Sequence, residues 1–306
     1  MPQNLEPGIS KNLLKFVGNM PLIDIGGVYA KAEFLNPSGS IKDRLAKYII
    51  KKAEREGLVD KDTHIVEAST GNSGIAFAMV CAVRNYKFSV IMPKGLTNER
   101  VNLLKSLGAG IIYVKHSNEL MKEAIELEEK YSCKKKHFAV KQFDTVWNVE
   151  CYRILGEEIS KQIDKVDAFV CGVGTGGSLI GAGGYLKEKM GTKLFAVEPS
   201  SSPILSKGTT GKHIIEGIGD GIIPGIIERN RGLIDGVIRI NDKEAMAKAR
   251  VLAKKYGLLC GVSSGANILA AEKLKKKGFK NVVTILPDRS ERYLSLGIYG
   301  DAMNEG

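Results

Sequence analysis

Short β-branched runs alternate with helical patterns along most of this chain, and that alternation limits the fold more than any other feature. HIVEA (64–68), FSVIMP (88–93), GIIYVK (110–115) and HFAVKQF (137–143) read as strands. Between them GIAFAMVCAVRN, NERVNLLKSLG and SNELMKEAIELEEKYS are helical in period. A second series follows: AFVCGVG (168–174), KLFAVEP (193–199), VIRIN (237–241) and VVTILPD (282–288). Its helices include NDKEAMAKARVLAKKYG, where Asn241 and Glu244 form a capping-box pattern and Gly257 follows the last turn. Strands alternating with helices imply parallel sheets built of βαβ units. Two such series imply two doubly wound α/β domains, with a cleft between them for a ligand.

Bulk properties remove several function classes. No apolar run approaches the ~20 residues that span a bilayer, and MPQNLEPGISKN lacks the apolar core of a signal peptide. Cys81, Cys133, Cys151, Cys171 and Cys260 are odd in number, far apart and free of CxxC spacing, which points to a reducing cytoplasm. The net charge of +11 invites a nucleic-acid reading. Its lysine tracts, Lys134-Lys135-Lys136 and KLKKKGFK (273–280), have no interleaved aromatics or binding motif, so a solvated face is the expectation. His64, His116, His137 and His213 are scattered, so metal catalysis lacks a ligand set, and no GxSxG elbow marks a hydrolase.

One lysine stands out. In NPSGSIKDRLAKYII (36–50), Ile41, Leu45, Ile49 and then Ala53 make a buried helical stripe, with Ser40 as N-cap after a Pro37–Gly39 turn. Lys42 therefore sits at a helix N-terminus, where the macrodipole repels cations. Three glycine-containing loops follow strands and open helices, sites where backbone N–H groups attract anions. EASTGNSG (67–74) adds Ser69, Thr70, Asn72 and Ser73, a set suited to a carboxylate, and Asn72 suits a phenolic oxygen as well. GVGTGGS (172–178) fits GxGxxG through Gly172, Gly174 and Gly177, with Glu198 ending the next strand. That is a dinucleotide fingerprint, which makes an NAD-dependent dehydrogenase a competitor. Thr175 and Ser178 suit a terminal phosphate equally well. CGVSSGAN (260–267) opens another helix, and HIIEGIGDGIIP (213–224) reads as an ordered, buried turn.

An amine beside a phosphate cradle and a carboxylate cradle is the parts list of pyridoxal phosphate chemistry. The sequence resembles the cysteine synthase and cystathionine β-synthase family of fold-type II pyridoxal-phosphate enzymes, from GNMPLIDI (18–25) to ILPDRSERYLS (285–295). The resemblance implies a tryptophan synthase β-like fold with the cofactor in the interdomain cleft. It also implies a smaller, mobile unit at 37–145 carrying the carboxylate loop, and a larger one from 1–36 and 146–306. Lys42 is then the Schiff-base residue, Asn72 meets the cofactor's ring hydroxyl, and Gly174, Thr175, Gly176, Gly177 and Ser178 cradle its phosphate. Ser263 faces the pyridine nitrogen, while Ser69, Thr70, Ser73, Gln142 and Gly217 hold the substrate. The implied reaction is β-replacement on a β-substituted L-alanine through an aminoacrylate, in a cytoplasmic homodimer taking small amino-acid substrates.

Departures from the family narrow the expectation. Met20 stands where threonine is common, and Cys151 lies near the place of a usual histidine. Glu216 and GLLCG (257–261) look more like cystathionine β-synthases. Asp220 replaces a small apolar residue and would bind a second amino acid's ammonium or orient water as a base. L-Cysteine is thus a candidate donor, giving hydrogen sulfide with lanthionine or serine. The alternatives are an O-acetylserine sulfhydrylase and a cystathionine β-synthase-like condensation. No haem extension or regulatory module is expected, and the terminal Asn304-Glu305-Gly306 predicts no complex with serine acetyltransferase. No metal, nucleic-acid or membrane partner is expected.

Overall fold

The computed structural model describes residue 10, residues 12–114, residues 120–297 and residue 299; His116 and the terminal Asn304-Glu305-Gly306 lie outside them. The chain begins with β1 (Leu22–Ile25), β2 (Val28–Lys31) and α1 (Lys42–Arg55). Next come β3 (His64–Ala68), α2 (Asn72–Arg84), β4 (Lys87–Pro93), α3 (Asn98–Ser106), β5 (Gly110–Val114), α4 (Leu120–Ser132) and β6 (His137–Ala139). After α5 (Val146–Gln162) follow β7 (Ala168–Gly172), α6 (Gly177–Met190), β8 (Lys193–Pro199), α7 (Ile204–Lys207) and α8 (Gly225–Arg229). The chain closes with β9 (Gly236–Ile240), α9 (Asp242–Tyr256), α10 (Val262–Lys276) and β10 (Val282–Ile285).

Two sheets carry the two α/β domains. One is four-stranded and all parallel, in the order β5-β4-β3-β6. The other is six-stranded, β1-β2-β10-β7-β8-β9, parallel except for the β1–β2 hairpin. Each order reverses once, between β3 and β6 in the small sheet and between β7 and β10 in the large one. At such a reversal the loops leaving neighbouring strands diverge, and a crevice opens at their carboxyl ends. The loops leaving β3 and β6 carry residues 69–73 and Gln142. Those leaving β7 and β10 carry the 172–178 glycines and residues 286–288. Topology alone thus brings the anticipated loops to two facing crevices.

Local chemistry explains the differences from the sequence reading. The β1–β2 hairpin turns through Gly26 (φ +62°) and Gly27 (φ +83°), the double left-handed conformation that closes two-residue hairpins. Asp24 Oδ1 accepts the Gly27 amide at 2.6 Å. HFAVKQF pairs only as far as Ala139, because Lys141 is left-handed (φ +54°) and ends the strand before Gln142. Ser40 does not form the cap position itself, since α1 begins at Lys42 with Ile41 before it, but its Oγ accepts the Lys42 amide at 3.3 Å. Ile41, Leu45, Ile49 and Ala53 are all buried, as their spacing requires. Asn241 caps α9 through the amides of Lys243 and Glu244, and Gly257 closes it in a left-handed turn.

A buried ion network anchors α1. Arg44 Nε donates to Glu33 at 2.6 Å and its Nη1 to Glu158 at 2.7 Å, while Lys31 joins Glu158 at 3.1 Å. The cations hold the Glu158 carboxyl down to about 2 despite burial. Beside it α5 and α6 approach closely: a Cβ on Gly156 would stand 2.8 Å from the Ala182 carbonyl, and one on Gly181 would strike that of Val149. This contact sets the height of α6 and so of the glycine loop at its N-terminus. Gly181→Val should cost about 1–3 kcal/mol through overpacking, read by denaturant unfolding of the holoprotein. An unchanged midpoint would contradict the close approach.

Candidate active site

Four helices point their N-termini into one cleft between the sheets. Ile41 and Lys42 come from the start of α1, Asn72 and Ser73 from α2, Gly176 and Ser178 from α6, and Ser263 from α10. Each end presents amides with no intrahelical acceptor and the positive pole of its helix, a setting for anions. Asp220, Gly217, Gly174, Thr175, Ser69, Thr70 and Gln142 complete the wall, so nearly all anticipated residues meet here. Gly177 is set behind the wall, packed on Asn148 and Tyr152, where a Cβ has no room.

Lys42 occupies the centre. Its Nζ donates to Gln142 Oε1 at 3.1 Å, and Gln142 Nε2 is anchored on the Ala68 carbonyl at 2.8 Å. Burial lowers the Lys42 pKa below its ordinary value, with the Glu67 and then the Asp220 carboxyl opposing that fall. Burial also raises Asp220, against the pull of Lys42 and His213. A readily deprotonated amine and a carboxyl that holds its proton longer are both suited to proton transfer near neutral pH.

The carboxylate loop divides its groups by task. Ser69 Oγ accepts the amides of Gly71 and Gly74 at 3.0 and 3.1 Å, so this hydroxyl caps α2. Ser73 Oγ donates to buried Glu67 at 2.6 Å. The first-turn amides of Asn72 and Ser73 remain for a ligand. Asn72 Nδ2 donates to Asp288 at 2.6 Å and lies 3.2 Å from Tyr293 Oη, while Arg292 bonds its Oδ1. With that oxygen engaged by a pure donor, the amide must present its N–H side elsewhere.

Several working residues carry no local motif. Asn148 Nδ2 donates both to the Gln142 carbonyl at 2.6 Å and to Thr175 Oγ1 at 3.0 Å, tying one crevice to the other. Asn267 spans β7 and β10, accepting from the Gly172 amide and donating to the Ile285 carbonyl, each at 2.8 Å. Arg100, Tyr152, Asp288 and Tyr293 also line the cleft. The polar helix-start asparagine in TVWNVE was the one available signal for Asn148. The remainder require tertiary contacts to be seen.

These residues fit pyridoxal phosphate. At Gly174 a Cβ would stand 2.5 Å from the Gly217 carbonyl, and Gly176 is left-handed (φ +83°), so the loop leaving β7 can only be glycine-rich and closely wrapped. Its amides at the start of α6 would hold the phosphate, with the Thr175 and Ser178 hydroxyls; the Lys42 amine and the neutral Ser263 hydroxyl line the same cleft. The dinucleotide alternative loses its ribose-binding acid: Glu198 accepts from the Leu205 amide at 2.7 Å and from Ser206, and is fully buried in doing so. Among the described residues no group of His, Cys, Asp and Glu could hold a metal ion, and no helix is long and apolar enough to cross a membrane.

The fold and site define a fold-type II cofactor enzyme, and the chain belongs to the pyridoxal-phosphate dependent enzyme family, whose model matches residues 13–288. It is an enzyme of the cysteine synthase type. A cysteine synthase of Staphylococcus aureus is 40% identical over 305 residues, covering 94% of this chain and 96% of that one. The O-acetylserine dependent cystathionine β-synthase of Helicobacter pylori superposes with a TM-score of 0.90 at 36% identity, over 95% of this chain and 99% of the other. A hydrogen sulfide-producing enzyme of Fusobacterium nucleatum gives 0.87 at 40% identity, over 93% and 100%.

A buried acid beneath the carboxylate loop gives a pH test. Glu128 Oε1 accepts the Lys141 amide at 2.9 Å, and burial lifts its carboxyl from 4.5 to about 7. The folded state keeps this proton after the unfolded chain has lost it, so Glu128 makes stability fall as pH rises between those values. Glu128→Gln should flatten that fall in denaturation measured from pH 4 to 8. Parallel curves for the two proteins would contradict the assignment.

Proposed function

We propose that the enzyme uses L-cysteine as the β-substituted alanine, releasing hydrogen sulfide and adding water or a second cysteine to give serine or lanthionine. The observation that carries this is Asp220, a carboxyl that lines the same cleft as Lys42 and feels its charge, with its pKa raised by burial. Sulfide is substantially ionised near neutral pH and needs no base. Water or an amino-acid thiol does, and a carboxyl at that place can take the proton. The likeness to a hydrogen sulfide-producing enzyme supports the same choice. Likeness to the S. aureus cysteine synthase supports the second reading, cysteine formation from O-acetylserine and sulfide. The H. pylori enzyme supports a third, condensation with a thiol amino acid.

Bound pyridoxal phosphate supplies the electron sink for charge developing at Cα. The chain supplies the rest. The amides of Asn72 and Ser73, with Thr70 and Gln142, seat the substrate carboxylate. Lys42 Nζ takes the Cα proton, at an amine that burial already biases toward the neutral form. Ser263 lines the cleft and would offer the cofactor's ring nitrogen a neutral hydroxyl rather than a carboxylate, a setting that would favour elimination of the β-substituent. Seating the carboxylate draws the smaller unit, residues 37–145, onto the larger and excludes water.

A cytoplasmic homodimer is the setting we infer. All five cysteines are free and four are buried, which supports a reducing compartment. Exposed Phe16 and Ile154 offer apolar surface to a second copy.

Lys42→Ala should lower sulfide release from L-cysteine by about 10²–10⁴-fold or more, the range for loss of a proton-transferring group. Wild-type turnover in that variant would end the assignment. For Asp220→Asn, lanthionine and serine formed per sulfide should drop, while pyruvate from the unconsumed intermediate rises. An unaltered product ratio makes Asp220 a bystander.

A further inference from the structure

The carboxylate loop and the glycine loop carrying Asp220 belong to different sheets, and one side chain grips both. Arg100, in the first turn of α3, is 2% exposed. Its Nη1 donates to the Thr70 carbonyl at 2.8 Å and to Glu216 Oε2 at 3.1 Å, and its Nε donates to Thr97 Oγ1 at 3.0 Å. The guanidinium lies 5.1 Å from the centre of the Tyr293 ring. Gly71 presses on the same arm, since a Cβ there would stand 2.5 Å from Arg100 Cδ. Glu216 begins the glycine loop, whose Gly219 amide is fixed on the Val173 carbonyl at 3.0 Å. Asp220 follows directly.

Exposed ion pairs contribute little, but here the arginine side chain is 3% exposed and its carboxylate partner 30%. The guanidinium is a planar fork whose donors keep fixed angles. A shift of the Thr70 carbonyl must therefore move the fork or break it, and Glu216 meets the same nitrogen. Thr97 Oγ1 in turn donates to the Arg292 carbonyl at 2.8 Å, so the base of the fork is held. Motion at one end passes to the other.

We propose that Arg100 and Glu216 are positioning residues that couple the two loops, so that a carboxylate seated on residues 69–73 sets Asp220 for the second half of the reaction. This rests on the functional reading above. By linkage the coupling is reciprocal, so loosening the Asp220 loop weakens the hold on the donor. Both line the cleft, and these hydrogen bonds join them to one another, to Thr70 and to Thr97 rather than to Lys42.

The test is hydrogen exchange of the holoenzyme with and without L-alanine, an amino acid with no group to lose from its β-carbon. In the wild type, L-alanine should protect segments 67–74 and 213–224 together. In Glu216→Gln the first segment should stay protected and the second should not, with KM for the donor raised about fivefold, the low end of ordinary coupling. Arg100→Lys, which keeps the charge and loses the fork, should separate the two segments in the same way. Joint protection in both variants would overturn the coupling. Absence of protection at 67–74 in the wild type would instead overturn the carboxylate-site reading on which it rests.

Discussion

An amine held among four helix N-termini is the constraint to which the rest of the structure answers. A protonated Lys42 in that position faces the positive poles of α1, α2, α6 and α10 in a partly desolvated cleft. Burial favours the neutral form, and Glu67, then Asp220 and Cys151, oppose it. The same poles that repel a cation attract anions, so one arrangement both lowers the Lys42 pKa and suits a phosphate and a carboxylate. The buried Arg44 network anchors α1, and the close α5–α6 contact seats α6.

Two topological reversals divide the work. The small sheet's crevice, between β3 and β6, holds the carboxylate loop and Gln142. The large sheet's crevice, between β7 and β10, holds the glycine cradle and the Asp288 turn. Asn148, bonded to both Gln142 and Thr175, Arg100, bonded to both Thr70 and Glu216, and Asn72, bonded to Asp288, are among the side chains that join them. Chemistry that needs an anion on each side of one amine is thereby divided between the two sheets.

Much of this was legible in the sequence because the relevant signals are local. A glycine before a helix start, or an apolar residue every fourth position in α1, records constraints imposed by near neighbours. The cradle, Lys42 and the carboxylate loop are of this kind. The β1–β2 hairpin was missed, because four-residue strands carry little alternation. What could not be read were side chains whose role depends on partners far along the chain. Arg100 looks like a helix-surface charge until Glu216, more than a hundred residues later, is placed against it. Ser69 and Ser73 show the converse: both are in the site, but their hydroxyls serve α2 and Glu67.

The most direct test of the account is to add L-cysteine to the holoenzyme and follow the cofactor's visible absorption together with sulfide. An amino-acid carboxylate seated beside an amine of lowered pKa, as proposed for this cleft, predicts that the band moves and that sulfide appears with it. An unchanged band with no sulfide would contradict L-cysteine as donor and leave an activated serine in its place.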